Sequence, residues 1–254
     1  MRVPTLRTMA AVPPSQPARL LFPGGGIFFW WQAGAITALS RRIDLSTAPC
    51  CGASAGALAA TLAACDVDME LALERALALS IEARAFERGP FGLYGIWGGV
   101  IRTWLDELLP ADAARRCDGR VELLVTELPS LRTLAVSDFA DREALIDANL
   151  ASVHVPFFVD GRPTASFRGG ACVDGSLRAL LQPLPQLTEG CRINHHDDPR
   201  MRAKYRHASD FLRLVSPAGV REMMAWGEAY VDGVDAAGGL EALREQHALG
   251  SDSG

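Results

Sequence analysis

Short apolar runs that end in glycine alternate with longer stretches of helical spacing. Arg19-Leu20-Leu21-Phe22-Pro23 reads as a short buried strand running straight into Gly24-Gly25-Gly26. Ile27 to Leu39 then read as a helix. Gly52-Ala53-Ser54-Ala55-Gly56 precedes Ala57 to Cys65, which is small and helix-prone. Asp66 is positioned to cap a helix reaching about Phe86, with Leu71, Ala72, Leu79 and Ala83 on or near one face. Gly89 to Gly99 breaks that pattern, and Val100 to Leu109 resumes it before Pro110. Arg120 to Glu127 and Leu131 to Val136 read as two strands joined by a turn at Pro129-Ser130. Asp141 to Leu150 reads as a capped helix. After Tyr230 the pattern trails through Gly238-Gly239 and a short charged helix into a frayed end. No internal repeat is evident.

The break at 89–99 holds Phe91, Leu93, Tyr94, Ile96 and Trp97 with almost no charge. It reads as an interior crossing of the core. The alternative is a lid or membrane-docking surface, because aromatic rings suit the lipid–water boundary. No stretch reaches the ~20 apolar residues of a membrane span. Ala53 to Cys65 and Gly89 to Ile101 come closest.

Three glycine segments carry candidate chemistry. Gly52 to Gly56 fits Gly-x-Ser-x-Gly, the sharp strand-to-helix turn that exposes a nucleophilic serine. Its glycines leave room where a side chain would collide. The helix that follows places Ser54 in the positive field of its N-terminus, which suits a developing oxyanion. The plainer alternative is a helix start capped by Ser54. Gly24-Gly25-Gly26 lies between a strand and a helix, an arrangement that offers free backbone N–H groups to an anion. It is a poor dinucleotide fingerprint, because Phe29 stands where a third small residue belongs. No Walker loop is present, so an oxyanion loop is the better match. In the third segment, Cys172-Val173 delivers Asp174 into Gly175-Ser176. Asp-Gly also occurs at 118, 160 and 232, so only the order of the three segments singles out Asp174.

In that order the segments resemble the patatin-like phospholipases, in particular the adipose-triglyceride-lipase-like branch. Ser152-Val153-His154-Val155-Pro156-Phe157-Phe158 is similar to that branch's approach to its catalytic aspartate. Leu212 to Pro217 and Gly227 to Tyr230 are similar to its C-terminal strand and helix. The resemblance spans residues 18–235. It implies a three-layer α/β/α sandwich around a central, mostly parallel sheet. It also implies that Ser54 is the nucleophile and Asp174 its base, with no histidine between them. Gly24, Gly25, Gly26 and Ala55 would form the oxyanion hole, and Gly52, Gly56 and Gly175 would be motif glycines. Two departures stand out. The family's loop carries a further glycine where this chain has Phe29, often after a basic residue where it has Phe28. Its aspartate motif ends in Gly or Ala where this chain has Ser176. The first departure suggests an acyl pocket walled by Phe28, Phe29, Trp30 and Trp31.

A Ser-Asp-His triad is the competing chemistry, since His195, His196 and His207 all follow Asp174. Only one strand and one helix precede Ser54, fewer than triad hydrolases of that order have. Charged neighbours also place these histidines in a solvated loop. His154 beside Pro156 reads as a packed or turn histidine.

Composition narrows the class further. A length of 254 residues with 49% hydrophobic content suits one α/β enzyme domain. The expected organisation is a disordered leader over 1–18, an acyl hydrolase domain over 19–235 and a C-terminal helix with a frayed tail over 236–254. The leader carries Arg2 and Arg7, Arg19 follows it, and no acidic residue precedes Asp44, which leaves an organelle transit segment open. A formal charge of −5 argues against nucleic acid as a partner. Six cysteines without Cys-x-x-Cys or metal-ligand spacing suggest reduced thiols in an intracellular protein. No metal or organic cofactor is implied. The expected activity is hydrolysis of a lipid ester (triacylglycerol, phospholipid or galactolipid) at a membrane or lipid-droplet surface, by a soluble or peripherally bound enzyme. The alternatives are a lipid-binding regulator with weak chemistry, and an acyl-CoA thioesterase or transacylase using the same pair.

Overall fold

The computed structural model describes residues 18–180 and 182–249. In chain order the elements are β1 (Leu20–Phe22), α1 (Phe29–Ser40), β2 (Cys50–Ala53), α2 (Ala55–Ala64), α3 (Met69–Glu82), α4 (Trp97–Leu108), α5 (Ala113–Cys117), β3 (Val121–Glu127), β4 (Thr133–Val136), α6 (Arg142–Ser152), β5 (Ala165–Phe167), β6 (Gly170–Val173), β7 (Cys191–Arg192), α7 (Pro199–Lys204), α8 (Pro217–Ala236) and α9 (Glu241–Gln246). Short 3₁₀ turns connect several of them.

The strands form one α/β sheet whose centre, β7-β1-β2-β3, is parallel, with β4, β5 and β6 antiparallel at one end. Side chains alternate across it with the period of two that strands impose. Leu20, Phe22, Cys50, Val121, Leu123 and Val125 enter the main core. Leu21, Cys51, Ala53 and Leu124 point the other way, under Leu184 and Leu187. The layers are unequal. One face carries α2 with α1, α6 and α8 around it, while short 3₁₀ turns near 177–187 cover the other.

The register explains why two distant residues meet. Leu123 and Leu124 pair with both β2 and β4, so those strands flank β3. Thr126 pairs with both β4 and β6, so β6 lies on the same side of β3 as β2. β2 runs parallel to β3 and stops at Ala53, opposite Leu124. β6 runs the other way and stops at Val173, opposite Thr126. The two strand ends face each other, and the next residues are Ser54 and Asp174.

Several sequence expectations are corrected. Asp68, not Asp66, caps α3, its carboxylate accepting from the N–H groups of Glu70 and Leu71. Asp66 has φ +56 and precedes the helix. Leu71 is exposed, and Met69, Ala72, Leu73 and Leu79 form the buried stripe. Residues 212–216 form no strand: a 3₁₀ turn ends at Leu212 and α8 starts at Pro217, capped by Ser216. The segment 89–99 is not an interior crossing. Leu93 is buried, but Phe91 and Tyr94 are exposed. The short charged helix expected after Gly239 is α9, and it is packed, with Leu240 and Leu243 in the core. His247 Nε2 lies 3.0 Å from the Ala18 carbonyl, which makes Ala18 part of the domain. The rest of the predicted leader (1–17) and the last residues of the predicted tail (250–254) lie outside the described residues. Among the described residues, no helix is long and apolar enough to cross a membrane.

Candidate active site

Ser54 occupies a backbone conformation that side chains avoid, φ 55° and ψ −129°, between β2 and α2. Such a conformation costs roughly 1–3 kcal/mol and persists only where the surroundings enforce it. They do so through close backbone packing. A Cβ on Gly52 would stand 2.1 Å from the Gly56 carbonyl oxygen, and one on Gly56 would stand 1.8 Å from that of Phe22. No larger residue fits either place. Ser54 N–H donates to Ser152 Oγ at 2.9 Å, and Ser152 Oγ donates to the Leu124 carbonyl at 2.7 Å. The Thr61–Asn149 pair joins α2 to α6 inside the core.

The carboxylate is fixed with equal care. Asp174 and Gly175 donate their N–H groups to the carbonyls of His154 and Ser152, at 2.8 and 2.9 Å. Thr126 Oγ1 donates to the Asp174 carbonyl at 2.8 Å. One carboxylate oxygen, Oδ1, accepts from Ser176 N and Ser176 Oγ at 2.8 and 2.7 Å. The other, Oδ2, accepts from Ser54 Oγ at 2.6 Å. Both side chains are more than nine-tenths buried. Burial pushes the Asp174 carboxyl above the usual aspartate range, against the opposing pull of the hydrogen bonds from Ser54 and Ser176. A raised pKa makes its anion a stronger base.

The sequence marks Ser176 as a departure from the motif and Ser152 as part of the similar segment, but gives neither a role in the site. Ser176 had a signal, because Asp-x-Ser lets the aspartate accept from the backbone two residues on. A lone serine at the end of α6 carries none.

The glycine loop reaches the serine. A Cβ on Gly24 would stand 3.0 Å from Ser54 Cβ and 2.2 Å from Ser176 Oγ. Gly26 has φ +54, and a Cβ there would meet the Phe211 carbonyl at 2.1 Å. Ala55 and Gly26 begin α2 and a 3₁₀ turn, so their N–H groups have no partner within those elements. Gly25 lies between Gly24 and Gly26 and caps that turn, accepting from Phe28 N at 3.0 Å. Phe29, where the family has a further glycine, has φ −43° and opens α1 in ordinary helical conformation. Glycine is not required there, so the departure leaves the loop's backbone intact.

The four aromatic residues after the loop do not act together. Phe29 and Trp30 line an apolar pocket beside Ser54, and their rings meet Trp104 edge-on at 5.5 and 6.2 Å. Phe28 faces the opposite direction, toward His195 and Tyr205. Trp31 is fully buried and donates Nε1–H to Asp198 at 2.9 Å. The acyl-pocket expectation is therefore corrected for Phe28 and Trp31. Side chains alternate around a helix, so four consecutive positions cannot share one wall. Gly26, Ser54 and Ala55 line the pocket together with Leu58, Leu77 and Ile101. Among the described residues, no ionisable side chain lines it.

No histidine takes part in the pair. Among the described residues, no histidine side chain hydrogen bonds to Ser54 or to the Asp174 carboxylate, and His154 meets Asp174 through its backbone carbonyl. His195 is buried rather than solvated, and burial lowers its pKa to about 3. His196 and His207 are exposed. His154 is buried, its Nε2 3.3 Å from the Arg162 carbonyl.

Such an arrangement can activate a hydroxyl against an acyl carbonyl with a carboxylate alone, the chemistry of a serine–aspartate acyl-transfer centre. Residues 20–183 match the family model described as patatin-like phospholipase, and the chain belongs to that family. It is 30% identical to the omega-hydroxyceramide transacylase of Mus musculus over 71% of this chain and 30% of that protein. It is 30% identical to the 1-acylglycerol-3-phosphate O-acyltransferase Pnpla3 of the same species, over 62% of this chain and 39% of that one. It is likewise 30% identical to the human patatin-like phospholipase domain-containing protein 2, over 65% of this chain and 33% of that one. The chain thus spans about a third of the length of these relatives. The family's enzymes are lipid hydrolases and acyltransferases.

Proposed function

We propose that this protein is a serine acyl hydrolase of lipid esters, with Ser54 as nucleophile and Asp174 as general base. The observation that carries this reading is the 2.6 Å hydrogen bond from Ser54 Oγ to a buried carboxylate, with Ser54 lining an apolar pocket. In the first step Ser54 Oγ bonds to the ester carbonyl carbon and its proton passes to Asp174. The N–H groups of Gly25, Gly26 and Ala55 receive the oxyanion, each such donor contributing about 3 kcal/mol. Collapse breaks the bond to the leaving alkoxide, which takes the proton from Asp174 and departs as an alcohol. Water then attacks the acyl-serine, returns a proton through Asp174 and releases the fatty acid. No group in the chemistry is a histidine.

The pocket suits an acyl chain, which buries about 0.8 kcal/mol per methylene. Exposed Phe86 lines it, and the exposed rings of Phe91 and Tyr94 flank Leu93, another lining residue. Phe157 stands exposed beside Phe158, whose ring meets Tyr94 at 5.8 Å. We take this rim as the surface that meets the lipid phase. A second reading, transfer of the acyl group to an alcohol in place of water, is favoured by the names of the transacylase and acyltransferase relatives. The same acyl-enzyme serves both. A pure lipid-binding role fits less well, because the Ser54–Asp174 geometry has no use without chemistry.

Labelling with a fluorophosphonate probe tests the reading, comparing the native chain with Ser54→Ala and Asp174→Asn. Native labelling that both substitutions abolish, with ester hydrolysis lost in parallel, is the expected result. A native chain that neither labels nor hydrolyses a short-chain ester sinks it. Adding a long-chain alcohol acceptor then separates hydrolysis from transfer by the products formed.

A further inference from the structure

Behind the glycine loop, on the side away from the acyl pocket, lies a second hollow. Phe28, His195, His196, Arg202, Tyr205 and Arg206 line it. Its inner wall is shared with the catalytic loop: a Cβ on Gly25 would stand 2.8 Å from the His195 ring, which itself lies 4.8 Å from the Phe28 ring. The Tyr205 ring meets the other side of Phe28 at 4.9 Å.

Three features of this hollow call for a ligand. The Tyr205 hydroxyl is shielded from solvent and, among the described residues, has no hydrogen-bond partner. The same holds for Nδ1 of His195, a side chain more than nine-tenths buried. Buried polar atoms are satisfied in the great majority of native proteins, so two orphans in one hollow need an explanation. The third feature is charge. Arg202 spends one donor on the His196 carbonyl and Arg206 one on the Ala203 carbonyl. Among the described residues, neither guanidinium pairs with a carboxylate, whereas neighbouring Lys204 pairs with Glu222 and Arg200 with Asp198. Two guanidiniums without a carboxylate partner and a phenol with an unpartnered hydroxyl thus line one small space.

We infer that this hollow binds a phosphate group, held by Arg202, Arg206 and the Tyr205 hydroxyl. Arginine forks match the geometry of phosphate oxygens, and the phenol O–H supplies a further donor. Carboxylates are a weaker match, since two oxygens leave part of this donor set unused. Among the described residues the acyl pocket, by contrast, has no charged lining, so this is where the molecule can read an anionic headgroup or a free phosphate ester.

Binding is measured on the Ser54→Ala chain, so the outcome is independent of any catalysis and of the proposed hydrolase activity. The probes are glycerol 3-phosphate by calorimetry, and vesicles of phosphatidylcholine with and without phosphatidic acid by co-sedimentation. Saturable binding of glycerol 3-phosphate, weakened about tenfold by Arg206→Gln and more by Arg202→Gln with Arg206→Gln, is the expected result for a free phosphate ester. Binding only to the phosphatidic-acid vesicles, with the same dependence on the arginines, assigns the site to a lipid headgroup. Tyr205→Phe keeps the ring on Phe28 and removes the donor, so it weakens either mode without disturbing the fold. Absence of saturable binding to both probes overturns the inference. So does binding that survives loss of both arginines.

Discussion

At Ser54 the neighbours are set by backbone contacts at van der Waals limits, whereas at the pocket rim aromatic rings stand in solvent. Gly52, Gly56 and Gly175 each lie where an added Cβ would come within about 2 Å of a carbonyl oxygen. Ser152 ties the serine's backbone to β3, and the strand ends of β2 and β6 bring serine and aspartate together. The rim segment 89–98 packs inward through Leu93 and Trp97 and is hydrogen-bonded to the rest of the chain by Gly95 N–H on the Phe158 carbonyl, Gly98 N–H on that of Val159 and the Pro90 carbonyl under Leu214 N–H, while Phe91 and Tyr94 stay outside. Reacting groups need placement within tenths of an ångström. A surface that meets a fluid lipid phase needs only apolar area. Substitutions at the first region should therefore act on the rate constant or on folding. Those at the second should act on access to substrate.

The largest effect is expected at the catalytic pair. Ser54→Ala should lower kcat roughly 10⁴-fold or more, and Asp174→Asn by roughly 10³-fold or more, on a short-chain p-nitrophenyl ester. The double variant should be no worse than Ser54→Ala, because the two residues act as one unit. Additive losses would mean that Asp174 serves folding rather than chemistry. Next comes Gly56→Ala, which drives a methyl group into the Phe22 carbonyl at 1.8 Å. It should destabilise the fold by about 3 kcal/mol or more, read as a shifted denaturation midpoint. A neutral outcome would show that the elbow has slack.

The pH profile sharpens the assignment of the base. Asp174 must be ionised to accept the serine's proton, and burial holds its carboxyl above the ordinary aspartate value of 3.8. As pH falls through that raised value the base is protonated and kcat/KM falls. The acid limb should thus lie above that of a solvated aspartate. His195, with its pKa lowered to about 3, stays neutral across this range. Replacing it with Gln should leave the limb in place. A limb that moves with His195→Gln would return histidine to the mechanism.

How much of this was legible beforehand follows from which contacts are local. The elbow, the glycine loop and Asp174 were readable, because each needs glycine or a fixed order at short range. The meeting of Ser54 with Asp174 is implied by the family resemblance alone, not by any local pattern. It depends on β6 running antiparallel along the same side of β3 as β2, and no local pattern encodes that register. Phe28 to Trp31 were assigned to one pocket because they are adjacent in sequence, yet the turn into α1 points them in different directions. The exposure of Phe91 and Tyr94 was equally hidden. An uncharged aromatic run looks the same in a core as on a lipid-facing rim, and only the packing of Phe158 beneath Tyr94 separates the two. His195 was misplaced for the opposite reason, since charged neighbours such as Asp197 and Arg200 conceal a ring turned inward against Gly25.

Pocket and rim supply the smaller effects. Leu58→Trp fills the acyl pocket beside Ala55, and each excluded methylene should cost about 1 kcal/mol in kcat/KM. Long-chain esters should lose far more than short ones, so the measurement is their ratio. A uniform loss would place the chain elsewhere. The rim effect is smallest and the most selective. Phe91→Ser with Tyr94→Ser removes two exposed rings. Partial insertion of each is expected to contribute about 0.7 kcal/mol, a fraction of full burial, so the pair should weaken vesicle binding roughly tenfold. Hydrolysis of a monomeric ester in water should be unchanged, because neither ring reaches Ser54. That split distinguishes a docking surface from a structural one. If the soluble ester suffers as much as the vesicle substrate, the rings hold the pocket in shape, and the division between a rigid chemical end and an adaptable lipid-facing end does not stand.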